Sequence, residues 1–178
     1  MKLLMHICCG PCSIYPIRQL AGDKFDKVTG FYYNPNIHPL DEYERRKGAL
    51  RKIEKELGLE VIYPDYRIEE YFRKVALKDD LSDRCRLCWE LRLSETADFA
   101  LKNKFDAFTT TLLISPYQNH ELVKDIGKGI AKEKGVEFYY KDFRVGFGES
   151  QQEAKRRELY RQKYCGCVFS ELERVKDR

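Results

Sequence analysis

Seven cysteines stand in three tight groups: Cys8-Cys9-x-x-Cys12, Cys85-x-x-Cys88 and Cys165-x-Cys167. Thiolates bind metals and attack disulfides, so a site built from them must lower the thiol pKa. A strand-to-helix turn does this, because the free N–H groups at a helix start favour negative charge. Sulfur ligands drawn from two loops hold zinc or an iron–sulfur cluster. One Cys-x-x-Cys pair says little; two groups that each follow a strand or open a helix say more. Three cysteines remain beyond a four-ligand site. Cys165-Gly166-Cys167 is too short for a zinc-ribbon knuckle, and Gly166 lets the chain turn tightly between the sulfurs. That pair either forms an easily reduced disulfide or joins Cys12 around a second metal ion. Unligated cysteines packed in a core are the plain alternative.

The elements that must position these sulfurs follow from hydrophobic periodicity. Five β-rich runs, Lys2–Ile7, Lys27–Tyr33, Leu59–Tyr63, Phe105–Thr111 and Val136–Lys141, alternate with helical patterns. Helices are predicted over Asp41–Leu57, Asp83–Asn103, Gln118–Lys134 and Ser150–Lys163, with Gly58 and Gly135 as stop signals. This alternation implies right-handed βαβ units and an α/β fold: a Rossmann-like parallel sheet of about five strands with helices on both faces. Ligands gather at the carboxyl ends of such strands. Cys8 and Cys9 fall just past the first strand, with Cys12 at or just before the next helix; no Gly-rich phosphate fingerprint stands there. Cys85 and Cys88, three apart at a helix start, face one side. The segment 64–84 is the least regular and reads as an inserted lid. The chain reads as a single α/β domain over 1–178, completed at about 150–170 by a basic helix and the Cys-x-Cys segment.

With 43% hydrophobic and 35% charged residues the chain is neither disordered nor membrane-embedded. The net charge of +4 is too small to announce nucleic-acid binding. The opening residues lack a secretory signal's apolar stretch, and clustered cysteines fit a reducing compartment, so a cytoplasmic protein is expected.

The strings His6-Ile7-Cys8-Cys9-Gly10-Pro11-Cys12-Ser13, Arg84-Cys85-Arg86-Leu87-Cys88-Trp89, Ser115-Pro116-Tyr117-Gln118-Asn119-His120 and Gln162-Lys163-Tyr164-Cys165-Gly166-Cys167 resemble the QueH family of cobalamin-independent epoxyqueuosine reductases. The resemblance runs from Met1 to about Ser170. It implies a nucleotide-hydrolase-type (HUP-type) Rossmann domain turned to iron–sulfur use. It also implies two-electron removal of the epoxide oxygen from epoxyqueuosine at the wobble position of tRNA, the last step of queuosine biosynthesis. It further implies a 4Fe–4S cluster on Cys8, Cys9, Cys85 and Cys88. Cys12, Cys165 and Cys167 are then left for a mononuclear iron (or zinc) or for a redox-active disulfide. No cobalamin, flavin or nicotinamide site is evident, so an external electron donor is required. A zinc-stabilised RNA-binding module and a metal-free dithiol oxidoreductase are the rival readings.

Around the cysteines, His6 in the first strand reads as a packed, hydrogen-bonded core residue. His38 follows the second strand, and His120 opens a helix after a strand; with Tyr117 they are the candidates for substrate contact or proton donation. Ser115 or Asn119 is expected to cap that helix. Lys155, Arg156, Arg157, Arg161 and Lys163 lead into Cys165 as a rail for a tRNA anticodon stem-loop, although a charge run is usually only a wet helix face. Tyr32, Tyr33, Tyr160 and Tyr164 lie near the expected site loops.

Overall fold

The computed structural model describes residues 1–76, 78 and 80–176, with only the backbone at Leu81. Its strands are β1 (Lys2–His6), β2 (Lys27–Phe31), β3 (Val61–Ile62), β4 (Ala107–Thr110) and β5 (Glu137–Phe138). All pair in parallel, in the order β3-β2-β1-β4-β5. This is the doubly wound Rossmann order, with its switch point between β1 and β4. β1 takes the centre because Leu3, Leu4 and Met5 are apolar on both faces of the pleat, and these three and Ile7 just past the strand are fully buried. Its register sets Leu3 beside Val28 and Ala107, and His6 beside Phe31 and Thr110.

The helices are α1 (Gly10–Ala21), α2 (Leu40–Leu57), α3 (Ile68–Val75), α4 (Leu81–Lys102), α5 (His120–Lys134), α6 (Phe147–Arg156) and α7 (Val168–Lys176). α1 packs against α2 and α6, and α4 against α3 and α5, as right-handed crossovers on the two faces of the sheet require. Between α1, α2 and α6, Ile14, Ala49, Ile53, Ala154 and Leu159 form a separate apolar cluster. The expected stops hold: Gly58 and Gly135 take the left-handed conformation after α2 and α5. Asn119 caps α5 by accepting the Leu122 N–H at 3.1 Å. Asp80 caps α4 by accepting from Ser82 N at 2.6 Å.

Three expectations need correction. The last predicted helix stops at Arg156 rather than Lys163, because Glu158 turns left-handed (φ 51°) and breaks the repeat. Arg161 and Lys163 therefore lie on an irregular segment. The stretch expected to be a lid carries α3 and the start of α4, with Tyr71 and Val75 packed against Cys88 and Cys167. Leu77 and Asp79, in that stretch, lie outside the described residues. α7 was not foreseen, and it places Val168, Leu172 and Val175 on the surface.

Candidate functional site

The carboxyl end of β1 delivers Cys8 and then Cys9, an extended residue that forms the N-cap of α1. The helix begins at Gly10, with Pro11 in its first turn, so Cys12 is a first-turn residue rather than one that precedes the helix. Gly10 permits this start because α1 lies against α2: a Cβ there would sit 2.9 Å from the Ala49 carbonyl carbon. The sulfurs of Cys8, Cys9 and Cys12 all lie within 4.8 Å of one another, beside the free N–H groups of a helix start. Thr111 accepts the Cys8 N–H at 3.0 Å and donates its hydroxyl to Cys8 Sγ at 3.3 Å. Gln162 Nε2 donates to Cys9 Sγ at 3.1 Å. As free thiols the three favour one thiolate, on Cys8. Hydrogen bonds from Cys12, Cys9 and Thr111 hold its pKa well below the usual thiol value against the opposing cost of burial. Holding a proton against Cys8 pushes Cys12 up, and burial pushes Cys9 up.

Four further sulfurs come from the start of α4 and from the chain entering α7. Burial, then the neighbouring Cys165 and Cys167, push Cys85 to about 11. Cys88 rises to about 12, mainly through burial. Cys165 is fixed from α2: Arg46 donates through Nη1 to the Cys165 carbonyl at 2.9 Å and through Nη2 to that of Tyr164 at 3.1 Å. Arg46 is itself held by Glu42 at 2.7 Å, which also accepts from the Tyr160 hydroxyl. His38 N–H donates to the Gly166 carbonyl at 2.7 Å. Gly166 stands at φ +133°, where a Cβ would meet Arg46 Nη1 and Ile37 Cγ1 at 3.1 Å. Only glycine fits that corner without strain.

Between these groups opens a cavity of about 590 Å³. Cys8, Cys12 and Cys165 line it together with Arg46, Arg92, Arg161 and Lys163, and no carboxylate of the described residues does so. Trp89 Nε1 donates to Gln118 Oε1 at 2.9 Å, which turns the amide nitrogen toward Cys165 Sγ at 3.8 Å. At the mouth Tyr117 is 83% exposed, its ring edge-on to Phe147 with centroids 5.7 Å apart.

The family model described as Epoxyqueuosine reductase QueH matches residues 3–173. The chain belongs to that family. It is a family of oxidoreductases, and its curated members agree along nearly the whole chain. An epoxyqueuosine reductase QueH of Dehalococcoides mccartyi is 42% identical over 174 residues, 97% of this chain and 94% of the relative. One of Thermotoga maritima is 42% identical over 181 residues, 97% and 91% of the two chains. Among solved structures, a deacetylase complex from the teicoplanin biosynthesis pathway shares the fold, with TM-score 0.52 and 14% identity. That likeness covers 78% of this chain and 65% of that one.

Set beside the QueH motifs, the structure separates the candidates. Cys8, Cys9 and Cys12 form one sulfur group; Cys85 and Cys88 lie outside it, close enough to Cys165 and Cys167 to feel a charge there, and Cys88 packs in one apolar cluster with Cys167. Tyr117, Arg161 and Lys163 border the cavity, whereas His38 and His120 are not brought to it. His38 accepts the Val168 N–H at Nδ1 (3.3 Å), donates from Nε2 to the Pro35 carbonyl (3.2 Å) and stacks on Phe72, so it braces the chain after Cys167. His120 is buried against the Tyr140 hydroxyl at 3.0 Å. Arg156 pairs with Glu153, and Arg157 with Glu56 and Glu153, while Lys155 lies exposed on α6. His6 is a core residue as expected, bonded to Thr110 and Tyr33; burial, then Arg92, holds its pKa down to about 3.

The donors fit a soft metal or iron–sulfur group: sulfur without imidazole or carboxylate in the lining, N–H donors aimed at sulfur, and a cationic wall. Arg46, Arg92, Thr111 and Phe147 were missed from sequence. Arg92 carried a signal, since Cys85, Cys88, Arg92 and Thr96 recur at three- and four-residue steps along one helical face. Among the described residues no helix is long and apolar enough to cross a membrane.

Proposed function

We propose that this chain removes the epoxide oxygen from epoxyqueuosine at the wobble position of a tRNA anticodon, giving queuosine in the last step of its biosynthesis. The observation that carries the proposal is one cavity, in a chain of the QueH family, that gathers cysteines from separate segments against four cations. The reaction consumes two electrons and two protons: both C–O bonds of the epoxide break, a C=C bond forms, and the oxygen leaves as water. A 4Fe–4S cluster on Cys8, Cys9, Cys85 and Cys88 would supply electrons one at a time, with a second iron or zinc as Lewis acid toward the oxygen. Cys12 and Cys165, which both line the cavity, are the sulfurs open to that second ion.

The chain's own groups bind and orient. Arg161 and Lys163, with no carboxylate partner among the described residues, take phosphates of the anticodon loop. The exposed Tyr117 ring, steadied by Phe147, offers a face on which a splayed base stacks. The irregular segment through Arg161 and Cys165 completes the site, and the electrons come from an external donor.

The test is iron and acid-labile sulfide per chain on protein purified without oxygen, followed by epoxide reduction on tRNA. About four sulfides with four to five irons are expected, and Cys85→Ala is expected to lose both cluster and turnover. Turnover in cluster-free protein would remove the cluster from the mechanism. Zinc without sulfide and without turnover would leave a zinc-stabilised RNA-binding module.

A further inference from the structure

Arg92 is one of the largest fully buried side chains, 2% exposed, and no carboxylate among the described residues lies within salt-bridge distance of it. Its Nε donates to the Cys88 carbonyl at 3.3 Å, one turn back along α4. Its Nη2 is buried and has no hydrogen-bond partner among the described residues. The contrast with Arg46 is direct, since Arg46 is equally buried but holds Glu42. A guanidinium taken out of water without an anion is a costly arrangement. A water molecule could meet the Nη2 hydrogens but brings no countercharge.

The surroundings show where an anion can come from. Arg92 lines the same cavity as Cys8, Cys12 and Cys165, and Cys88 lies one turn before it. Cys88, Cys165, Cys8 and Cys85 are the sulfurs near enough for a charge on them to act on the guanidinium. These sulfurs come from three separate segments of the chain.

We infer that Arg92 is the built-in counter-ion of the cysteine centre, a positioning residue whose charge holds thiolate-bound negative charge at the floor of the cavity and favours its increase on reduction. The inference rests on the proposed metal centre. When that centre accepts an electron its negative charge rises by one, and a fixed cation beside it makes the reduced form easier to reach. Substrate contact is not required of Arg92.

The experiment is redox titration of the visible spectrum of anaerobically loaded enzyme, as wild type, Arg92→Met and Arg92→Lys, with iron and sulfide counted in each. Arg92→Met is expected to be harder to reduce by at least roughly tenfold, about 59 mV for one electron, while Arg92→Lys stays near wild type. Failure of Arg92→Met to load where Arg92→Lys loads normally would support the same role, since charge would then be what assembly needs. A wild-type potential in Arg92→Met, or a defect shared equally by Arg92→Lys, would overturn it: the first removes charge from the account, the second leaves only the shape of the guanidinium. A wild-type enzyme without iron and sulfide would instead defeat the iron–sulfur proposal. The comparison would then run on Co²⁺ binding to the reduced protein, read from thiolate-to-cobalt absorption. A tenfold weaker Arg92→Met with Arg92→Lys unchanged would again support the counter-ion, and equal affinities would overturn it.

Discussion

The two ends of the sheet handle charge in opposite ways. Around the amino-terminal ends of the strands, among the described residues, the Met1 amine with Asp26, Lys24 with Glu137 and Lys27 with Glu60 are surface pairs, and Lys141 with Asp23 is a half-buried one. At the carboxyl ends Arg46 and Arg92 are buried, Arg161 and Lys163 face the cavity, and among the described residues only Arg46 of these four has a carboxylate partner. Surface pairs of mixed sign contribute little each and can be exchanged almost freely. Buried cations that outnumber their anions are tolerated only where another negative charge arrives, here on sulfur and phosphate. Unbalanced charge, more than any single motif, separates the working end of this sheet from the resting one.

The largest break in that comparison is expected at Arg46. Arg46→Met would leave Glu42, which is 6% exposed, with only the Tyr160 hydroxyl, and would free the carbonyls of Tyr164 and Cys165. Removing one partner of a buried pair costs about 3–5 kcal/mol, readable by urea unfolding, and Glu42→Gln in the same chain should recover part of it. A loss below about 1 kcal/mol, the range of surface pairs, would show that this pair behaves like those at the other end.

A smaller effect is expected from Gly166→Ala. The new Cβ would meet Arg46 and Ile37 at 3.1 Å, at a φ that L residues avoid, for about 1–3 kcal/mol and faster alkylation of Cys165. Gly22→Ala, at the opposite end with nothing within 4 Å of its Cβ, should be close to neutral. Equal costs would mean that the corner between Cys165 and Cys167 is no more constrained than an ordinary loop.

Much of this contrast was legible in the sequence where the signal is local. The apolar run of β1 places Cys8 and Cys9 at the carboxyl end of the central strand, Asn119 caps α5, and Gly135 ends it, because strand period, cap chemistry and left-handed glycine are set by neighbouring residues. The break after α6 was hidden, since Glu158 turns left-handed without the glycine that would announce it. Arg46 was hidden for another reason. Four residues after Glu42 it has the spacing of any surface helix pair, and only the chain from Tyr164 to Cys165, more than a hundred positions away, covers it. His38 misled in the converse way: a histidine after a strand at the working end looks catalytic, and its bond to the Val168 amide depends on an α7 that no periodicity foretold.

Phosphate binding should sharpen the comparison at intermediate size. Arg161→Ala removes a cation with no carboxylate partner, so tRNA affinity should fall and the slope of log affinity against log salt should shrink by about 1. Arg156→Ala removes a cation already neutralised by Glu153 and should change that slope less. Filter binding over a salt series decides it. Equal slopes for the two variants would return the interface to α6 as a whole.

The smallest effect belongs to the resting end. Asp23 accepts the Tyr139 hydroxyl, the Lys24 amide and the Lys141 ammonium, in that order of effect, which lowers its pKa from 3.8 to about 2. A carboxyl with a depressed folded pKa stabilises the fold above its unfolded value and loses that contribution as pH falls through the folded one. Asp23→Asn should therefore lower the melting temperature slightly at neutral pH, and the difference from wild type should close between pH 3.8 and 2. The pair is only half-buried, so added salt should shrink the neutral-pH difference as well. A gap that persisted at pH 2 would have to come from geometry around Tyr139 rather than from charge. The amino-terminal end would then no longer serve as the electrostatically balanced reference for the site.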